Sequence, residues 1–440
     1  MRNSLSRARK KCWRESSHDL YGGGKGRTQN LNIMEQKKSP VIIAILGALI
    51  GITPFSIDMY LPGFPAIASD LHADISQVTL SLTSFFVGVA VGQLFLGPLS
   101  DRYGRKKPLL VGLALYVIAS FGCIFARSVH ALIVLRVVQA VGGCAGMVIS
   151  RAMVRDMFAG SEIAKVFSLL MLVMGVAPIL APTIGGIVTT TLGWQYIFVV
   201  LTMIGLSLLV ISIRVLPETR EPDATLSLHP IRVLRDYFSV LQEPRFATYA
   251  LTGSFASAGL FAYIAGSPFV FMKLFGVSAQ HYGWIFGVNA CGLILASQVN
   301  RVLLRKRTSM DIILKASTLQ SVIGLLLALG TLTHLISLGG TFLLICGFMM
   351  MQGFVFPNAS ALAIEPFTRN AGSASALLGG LQMASGAVAS ALVSYCHNNT
   401  ALPMAGVMAA CGIISFSTLL TGRAVMRRKM AAAALDFSPS

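Results

Sequence analysis

The chain has 440 residues, of which 55% are apolar and only 12% charged, with a mean hydropathy of +0.73. Soluble chains carry about 25% charged residues, so a soluble globule is excluded and a polytopic membrane protein remains. A formal charge of +18, from 35 Lys and Arg against 17 Asp and Glu, would suggest a nucleic-acid partner if read as one average, but its distribution excludes that.

A bilayer core needs about 20 apolar residues per crossing helix. Apolar stretches separated by charges, prolines, glycines and polar turns predict spans at 41–61, 79–97, 108–126, 129–150, 163–190, 194–216, 246–272, 280–303, 311–333, 335–360, 372–396 and 401–424. Runs of this length are too long for barrel strands, and lipid leaves no partner for unpaired backbone groups, so the spans are helices. The fold class is therefore all-α integral membrane, with twelve transmembrane helices. Once the spans are laid down, 32 of the 35 Lys and Arg fall on the face that carries both termini. That bias places both termini in the cytoplasm. The basic excess is a topological signal that also attracts anionic lipid headgroups.

The longest polar gap, 217–245, starts at Pro217-Glu218-Thr219 and splits the spans into two sets of six. This division predicts a basic cytoplasmic segment at 1–40, a six-helix bundle at 41–216, a central cytoplasmic loop at 217–245, a second bundle at 246–424 and a tail at 425–440. Two bundles of equal length suit an internal duplication. Residues 1–33 read as disordered, or as preceding a true start at Met34. The seven cysteines, Cys12, Cys123, Cys144, Cys291, Cys346, Cys396 and Cys411, form no metal-ligand or disulfide pattern.

Four segments carry chemistry. Between spans two and three, Gly97-Pro98-Leu99-Ser100-Asp101-Arg102-Tyr103-Gly104-Arg105-Lys106-Lys107 reads as a tight turn, with Pro98 and Gly104 shaping it and Asp101 free to accept from a helix N-terminus or a basic side chain. In span four, Arg136 is a cation inside hydrocarbon, which costs about 2.5–3.5 kcal/mol on insertion scales and needs a cavity or a partner. Apart from Asp311, the first residue of its span, Asp58 is the one carboxylate in a predicted span. A carboxylate there can load and release a proton as access alternates. Counting at 1.5 Å per residue from Pro62 and Val129 puts Asp58 and Arg136 about 6 Å and 10 Å from the periplasmic ends, in one half of one bundle. Bland roles stay open for both: Arg136 holding backbone carbonyls, and Asp58 wetted at a helix end. Span five carries Pro178-Ile179-Leu180-Ala181-Pro182-Thr183-Ile184-Gly185-Gly186, a kinked and closely packed element. Phe55, Gln93, Phe261, Tyr263, Asn289, Gln352, Phe356 and Asn358 are candidates for a central cavity. No nucleotide-binding loop occurs, so an ion gradient must supply the energy.

The Gly97–Leu110 segment resembles the loop signature of the major facilitator superfamily, G-x-L-[AS]-D-R-x-G-R-[KR]-x-x-L. Leu132-x-x-x-Arg136-x-x-Gln139-Ala140-Val141-Gly142 resembles its fourth-helix motif, and Ala181-Pro182-Thr183-Ile184-Gly185-Gly186 resembles the antiporter motif ending G-P-x-x-G-G, with Ala181 in place of a glycine. Together with Ser56-Ile57-Asp58-Met59-Tyr60-Leu61-Pro62, these residues resemble the drug:proton antiporters of the bicyclomycin-resistance (Bcr/CflA) type. The resemblance implies the two-bundle fold and export across the bacterial inner membrane of antibiotics, amphipathic drugs or small metabolites such as sulfonamides or cysteine. It also implies Asp58 and Arg136 in proton coupling, Gly97, Asp101, Arg102, Gly104 and Arg105 as a conformational latch, and no cofactor beyond the proton gradient. Such a chain works as a monomer in the bilayer, with no nucleic-acid partner. A proton symporter importing a metabolite is the alternative, and an enzyme is not expected.

Overall fold

The computed structural model describes residues 40–158, 161–223, 230–333, 335–367 and 371–436. The expectations for residues 1–33 and for a start at Met34 lie outside them. Twelve helices among the described residues are long and apolar enough to cross a membrane. The first half comprises α1 (Pro40–Asp58), a short helix α2 (Phe64–Asp70), α3 (Ile75–Tyr103), α4 (Lys106–Ile124), α5 (Val129–Met157), α6 (Ser161–Thr191) and α7 (Gln195–Val215). An amphipathic helix, α8 (Pro230–Leu241), links it to α9 (Pro244–Ser267), α10 (Ala279–Leu303), α11 (Ser309–Leu332), α12 (Leu338–Ile364), α13 (Ala371–Tyr395) and α14 (Leu402–Asp436). Polar residues mark several starts. The hydroxyls of Ser128, Ser278, Thr308 and Ser337 each accept a backbone N–H three residues on, as N-caps do.

The packing repeats itself. In the first half α1 packs on α5, α6 and α7, α3 and α4 pack on α5, and α4 packs on α7. In the second half α9 packs on α12, α13 and α14, α10 and α11 pack on α12, and α11 packs on α14. Each of these pairs in one bundle thus has its mate in the other. The bundles meet along two seams, α3 against α13 and α6 against α10, which are themselves exchanged by the same correspondence.

The seams are closed toward the face opposite the basic one. On the first, the Ser394 hydroxyl donates to Ser76 O at 2.6 Å, Thr83 and Ser390 share a 2.6 Å hydrogen bond, and the rings of Phe86 and Phe261 lie 4.7 Å apart. On the second, a Cβ added to Gly186 would lie 2.7 Å from Ala279 O, and one added to Gly283 would lie 3.0 Å from the Thr183 backbone. These glycines let the two backbones touch. Toward the basic face the first seam parts, for a Cβ built on Gly97 or Gly372 meets nothing within 4 Å.

Three expectations need correction. The first span does not end near Pro62. Helix α1 stops at Asp58, turns through Leu61–Gly63 and continues as α2 to Asp70, because Pro62 and Gly63 break a helix without ending the apolar run. Pro98 does not form the turn after span two, since α3 runs through it to Tyr103 and only Gly104, at φ +83°, reverses the chain. Pro98 lacks an N–H and so orphans the carbonyl four residues earlier. The Tyr237 hydroxyl donates to that carbonyl, Leu94 O, at 2.8 Å. Finally, the gap at 217–245 is not only loop. It holds α8, whose Tyr237 and Val240 are buried.

Candidate functional site: an acidic break in the first span

Asp58 is the last residue of α1 and is 4% exposed, the only acidic side chain buried among the described residues. It forms no ion pair or side-chain hydrogen bond among them. Its end-of-helix position does not wet it, because twelve further residues of the span follow. Among titratable groups, the hydroxyls of Tyr263 and Tyr282, on α9 and α10 of the other bundle, lie within its electrostatic reach. Tyr282 is tied to Ser267 at 2.8 Å, and Tyr263 accepts from Asn289 Nδ2 at 2.9 Å while its ring stacks on Phe286 at 5.6 Å. The carbonyl oxygen of the Asn289 side chain is buried without a partner. Asp58 therefore faces the second bundle across the interface.

Arg136 faces the other way. It is fully buried, and no ion pair joins it to Asp58 among the described residues. Nη1 donates to Gln139 Oε1 at 2.7 Å and Nη2 to Ser56 O at 3.0 Å. The rings of Tyr60 and Phe85 lie 4.5 Å and 4.2 Å from its Cζ, so aromatic faces stand in for a counter-ion. Gln139 in turn donates to Ser120, which donates to Tyr116 O, and the Tyr116 hydroxyl shares a 2.7 Å hydrogen bond with Ser56. Ser56 O belongs to the last turn of α1, where carbonyls lack helical partners and a cation is favoured. Arg136 is the C-terminal cap of the helix that ends on Asp58, and it holds that break in place.

The span-five motif supports the break from outside. A Cβ on Gly185 would strike Met59 O, and one on Gly186 would strike Ala279 O. One glycine of the pair seats the residue after Asp58, and the other seats the start of α10. Pro178 and Pro182 lie within a continuous α6.

On the basic face, Arg105 Nη1 meets Asp101 Oδ1 at 2.6 Å and Arg105 Nε meets Asp156 Oδ2 at 2.8 Å. Arg220 also pairs with Asp101, at 2.8 Å. Burial works against the Arg105 charge, but Asp156 and Asp101 outweigh it and hold the guanidinium above its ordinary range. The α4 N-terminus is capped by Glu218, which accepts from Arg105 N at 2.7 Å and Lys106 N at 3.1 Å. Gly104 is needed there twice, for its positive φ and because a Cβ would strike Glu218. Arg102 lies over the Tyr103 ring at 5.7 Å. All these partners belong to the first bundle and the segment just after it. Asp156, Glu218 and Arg220 were not singled out from the sequence, since each is an ordinary charge near a span end.

The match to a known protein family decides the class. The major facilitator superfamily matches residues 46–390. The chain belongs to the major facilitator superfamily. An uncharacterized MFS-type transporter, YdgK, of Bacillus subtilis (strain 168) is 36% identical over 385 residues, covering 86% of this chain and 94% of the relative. A bicyclomycin resistance protein homolog of Haemophilus influenzae is 33% identical over 385 residues, covering 87% and 96%. A multidrug resistance protein, MdtL, of Escherichia coli is 28% identical over 373 residues, covering 85% and 93%. Within the superfamily the chain is similar to the Bcr/CflA type, and the superfamily's members are transporters rather than enzymes.

The cavity candidates of this major facilitator chain divide. Tyr263 and Asn289 line the interface with Asp58, Gln93 meets α13 at Gly379, and Phe261 crosses the seam to Phe86. Phe55 is half-buried one turn before Asp58. Asn358 is spent inside the second bundle, donating to Asn300 Oδ1 and Phe354 O, both at 2.8 Å. Gln352 likewise donates to Ser257 at 3.0 Å within that bundle, and Phe356 lies on the outer surface, 39% exposed. Apolar periodicity alone does not tell a cleft-facing polar residue from one that pairs inside its own bundle.

Proposed function

We propose that this transporter exports small amphipathic drugs or metabolites across the bacterial inner membrane in exchange for protons, with its basic face and both termini in the cytoplasm. The observation that carries the reading is the buried, unpaired Asp58, held at a helix break and aimed at the opposite bundle. When the cleft opens outward, water reaches Asp58, the carboxylate takes a proton and cargo leaves. When it opens to the cytoplasm, water reaches the carboxyl again, which loses its proton to the less acidic cytoplasm as cargo binds, and the bundles then close over the cargo. Arg136 acts by fixing the turn that carries Asp58. The Asp101, Arg102 and Arg105 network stiffens α3, α4 and α5 so that the first bundle moves as a unit. The relatives' names, bicyclomycin resistance and multidrug resistance, support drugs as cargo.

Inside-out vesicles acidified in the lumen test the exchange. Adding bicyclomycin, then a panel of antibiotics, should release luminal protons from vesicles carrying the protein, and Asp58→Asn should abolish the release while leaving insertion intact. Full proton release by Asp58→Asn removes Asp58 from the mechanism. Cargo accumulation in right-side-out vesicles under an inward proton gradient would make the protein an importer.

A further inference from the structure

Three arginines of the first bundle are withdrawn from solvent, Arg105 and Arg136 buried and Arg151 half-buried, and the fold compensates two of them. Arg105 has Asp101 and Asp156, and Arg136 has Gln139, Ser56 O and two rings. Arg151 of α5 has neither. Its Nε, like that of Arg136, is buried without a partner, but its one hydrogen-bonding contact among the described residues is Nη2 to the Met174 thioether at 4.0 Å. The charged group acting on it is another cation, Arg155, one turn away. Asp156, the nearest carboxylate in sequence, is taken by Arg105 and Thr219.

The side of α6 that Arg151 approaches is fixed by the exposure pattern. Leu169, Leu172, Val176 and Leu180 are exposed and mark the lipid face. Met174, Pro178, Ala181 and Gly185 form the stripe on the other side at helical spacing, with Ala181 fully buried and Gly185 seating Met59. Arg151 therefore points inward, onto the stripe that leads to Asp58. It stands about 16 Å from Gly185 along the α6 axis, toward the basic face where the first seam parts.

We propose that Arg151 is an anion-binding site at the basic-face mouth of the cleft, and that it engages the carboxylate, sulfonate or phosphonate of a small cargo molecule. The assignment rests on the export reading and adds a charge requirement to it. A guanidinium offers two parallel N–H donors to such a group, and an acidic cargo would supply the counter-charge the fold withholds. An anionic lipid headgroup has the same chemistry and is separated by the test.

The full chain, purified in neutral detergent, is melted with benzenesulfonate or benzoate and with their neutral amides, benzenesulfonamide and benzamide. The two anions should raise Tm by several degrees in a saturable way, and the amides should not. Arg151→Gln should lose the shift and Arg151→Lys should keep part of it. On the wild-type chain, saturating benzenesulfonate should lower phenylglyoxal modification of Arg151 severalfold by peptide mass spectrometry, a readout that does not depend on a variant folding. No shift with either anion, an equal shift in Arg151→Gln, or unchanged modification would overturn the proposal. Stabilisation by phosphatidylglycerol over phosphatidylcholine that needs Arg151, with none by benzenesulfonate, would give the site to a headgroup and overturn the cargo assignment. Both assays read binding without transport, so their failure and a failure of proton exchange are told apart.

Discussion

Gly186→Ala tests whether backbone contact at the second seam holds the cleft shut on the face opposite the basic one. The added methyl would lie 2.7 Å from Ala279 O and 3.2 Å from its carbonyl carbon. Both are backbone atoms of the other bundle and cannot rotate away. Overpacking of this kind costs about 1–3 kcal/mol, and the cost falls only on the conformation in which α6 and α10 touch. The equilibrium toward the open conformation should therefore shift by about five- to 150-fold. The assay is the labelling rate of Thr83→Cys, whose position is sealed by Ser390 at 2.6 Å, by a membrane-impermeant maleimide in a background carrying Cys396→Ser. The rate should rise by up to that factor in Gly186→Ala. Gly175→Ala is the control, because its methyl would meet only the flexible Ile294 side chain at 3.3 Å. Equal labelling of Gly186→Ala and the unsubstituted background would refute the idea that this contact holds the closure.

Arg136→Lys keeps the charge but loses the fork that reaches Gln139 and Ser56 O together, so Tm should fall and transport should slow, with the pH profile of proton release unmoved. A displaced pH profile would give Arg136 a direct part in proton transfer. Glu218→Gln removes the carboxylate that caps α4, a loss of about 0.5–2 kcal/mol for an exposed cap, read as a lower Tm that vanishes in high salt. Burial first, then Asp236 and Asp101, push the Tyr237 hydroxyl up to about 12. Its raised value means the fold favours the protonated form, so its contribution is constant below pH 10 and is lost between about 10 and 12. Tyr237→Phe should lower Tm at neutral pH by the loss of one hydrogen bond, about 1 kcal/mol. The same variant should remove a phenolate absorbance that develops near pH 12.

The twelve spans were legible because charges are so scarce that each one punctuates the chain. The boundaries failed where a helix breaker acts inside a span: Pro62 reads as a terminus, Pro98 as a turn, yet both are bridged. The reason is tertiary in each case. Arg136 caps the broken α1 from a helix 80 residues away in sequence, and Tyr237 fills the carbonyl that Pro98 orphans from 143 residues away. Asp58 was legible as the lone acid among apolar residues, whereas its orientation away from Arg136 was not, since the apolar runs of α1 and α5 do not show which face of each helix meets the other. The amphipathic α8 had a readable apolar spacing through Tyr237 and Val240, hidden inside a stretch dense in charge.

The broken first span has a counterpart. Helix α9 passes at Pro268 into a π-turn, Pro268–Leu274, and aligning Pro62 with Pro268 sets Ile264 opposite Asp58. Under the proposed exchange, one carboxylate carries one proton per turnover. A neutral cargo then moves one net charge, a monocation none and a monoanion two, each charge worth about 2.3 kcal/mol per 100 mV. The voltage sensitivity of turnover thus reports the valence of whatever is carried, before that molecule has been identified.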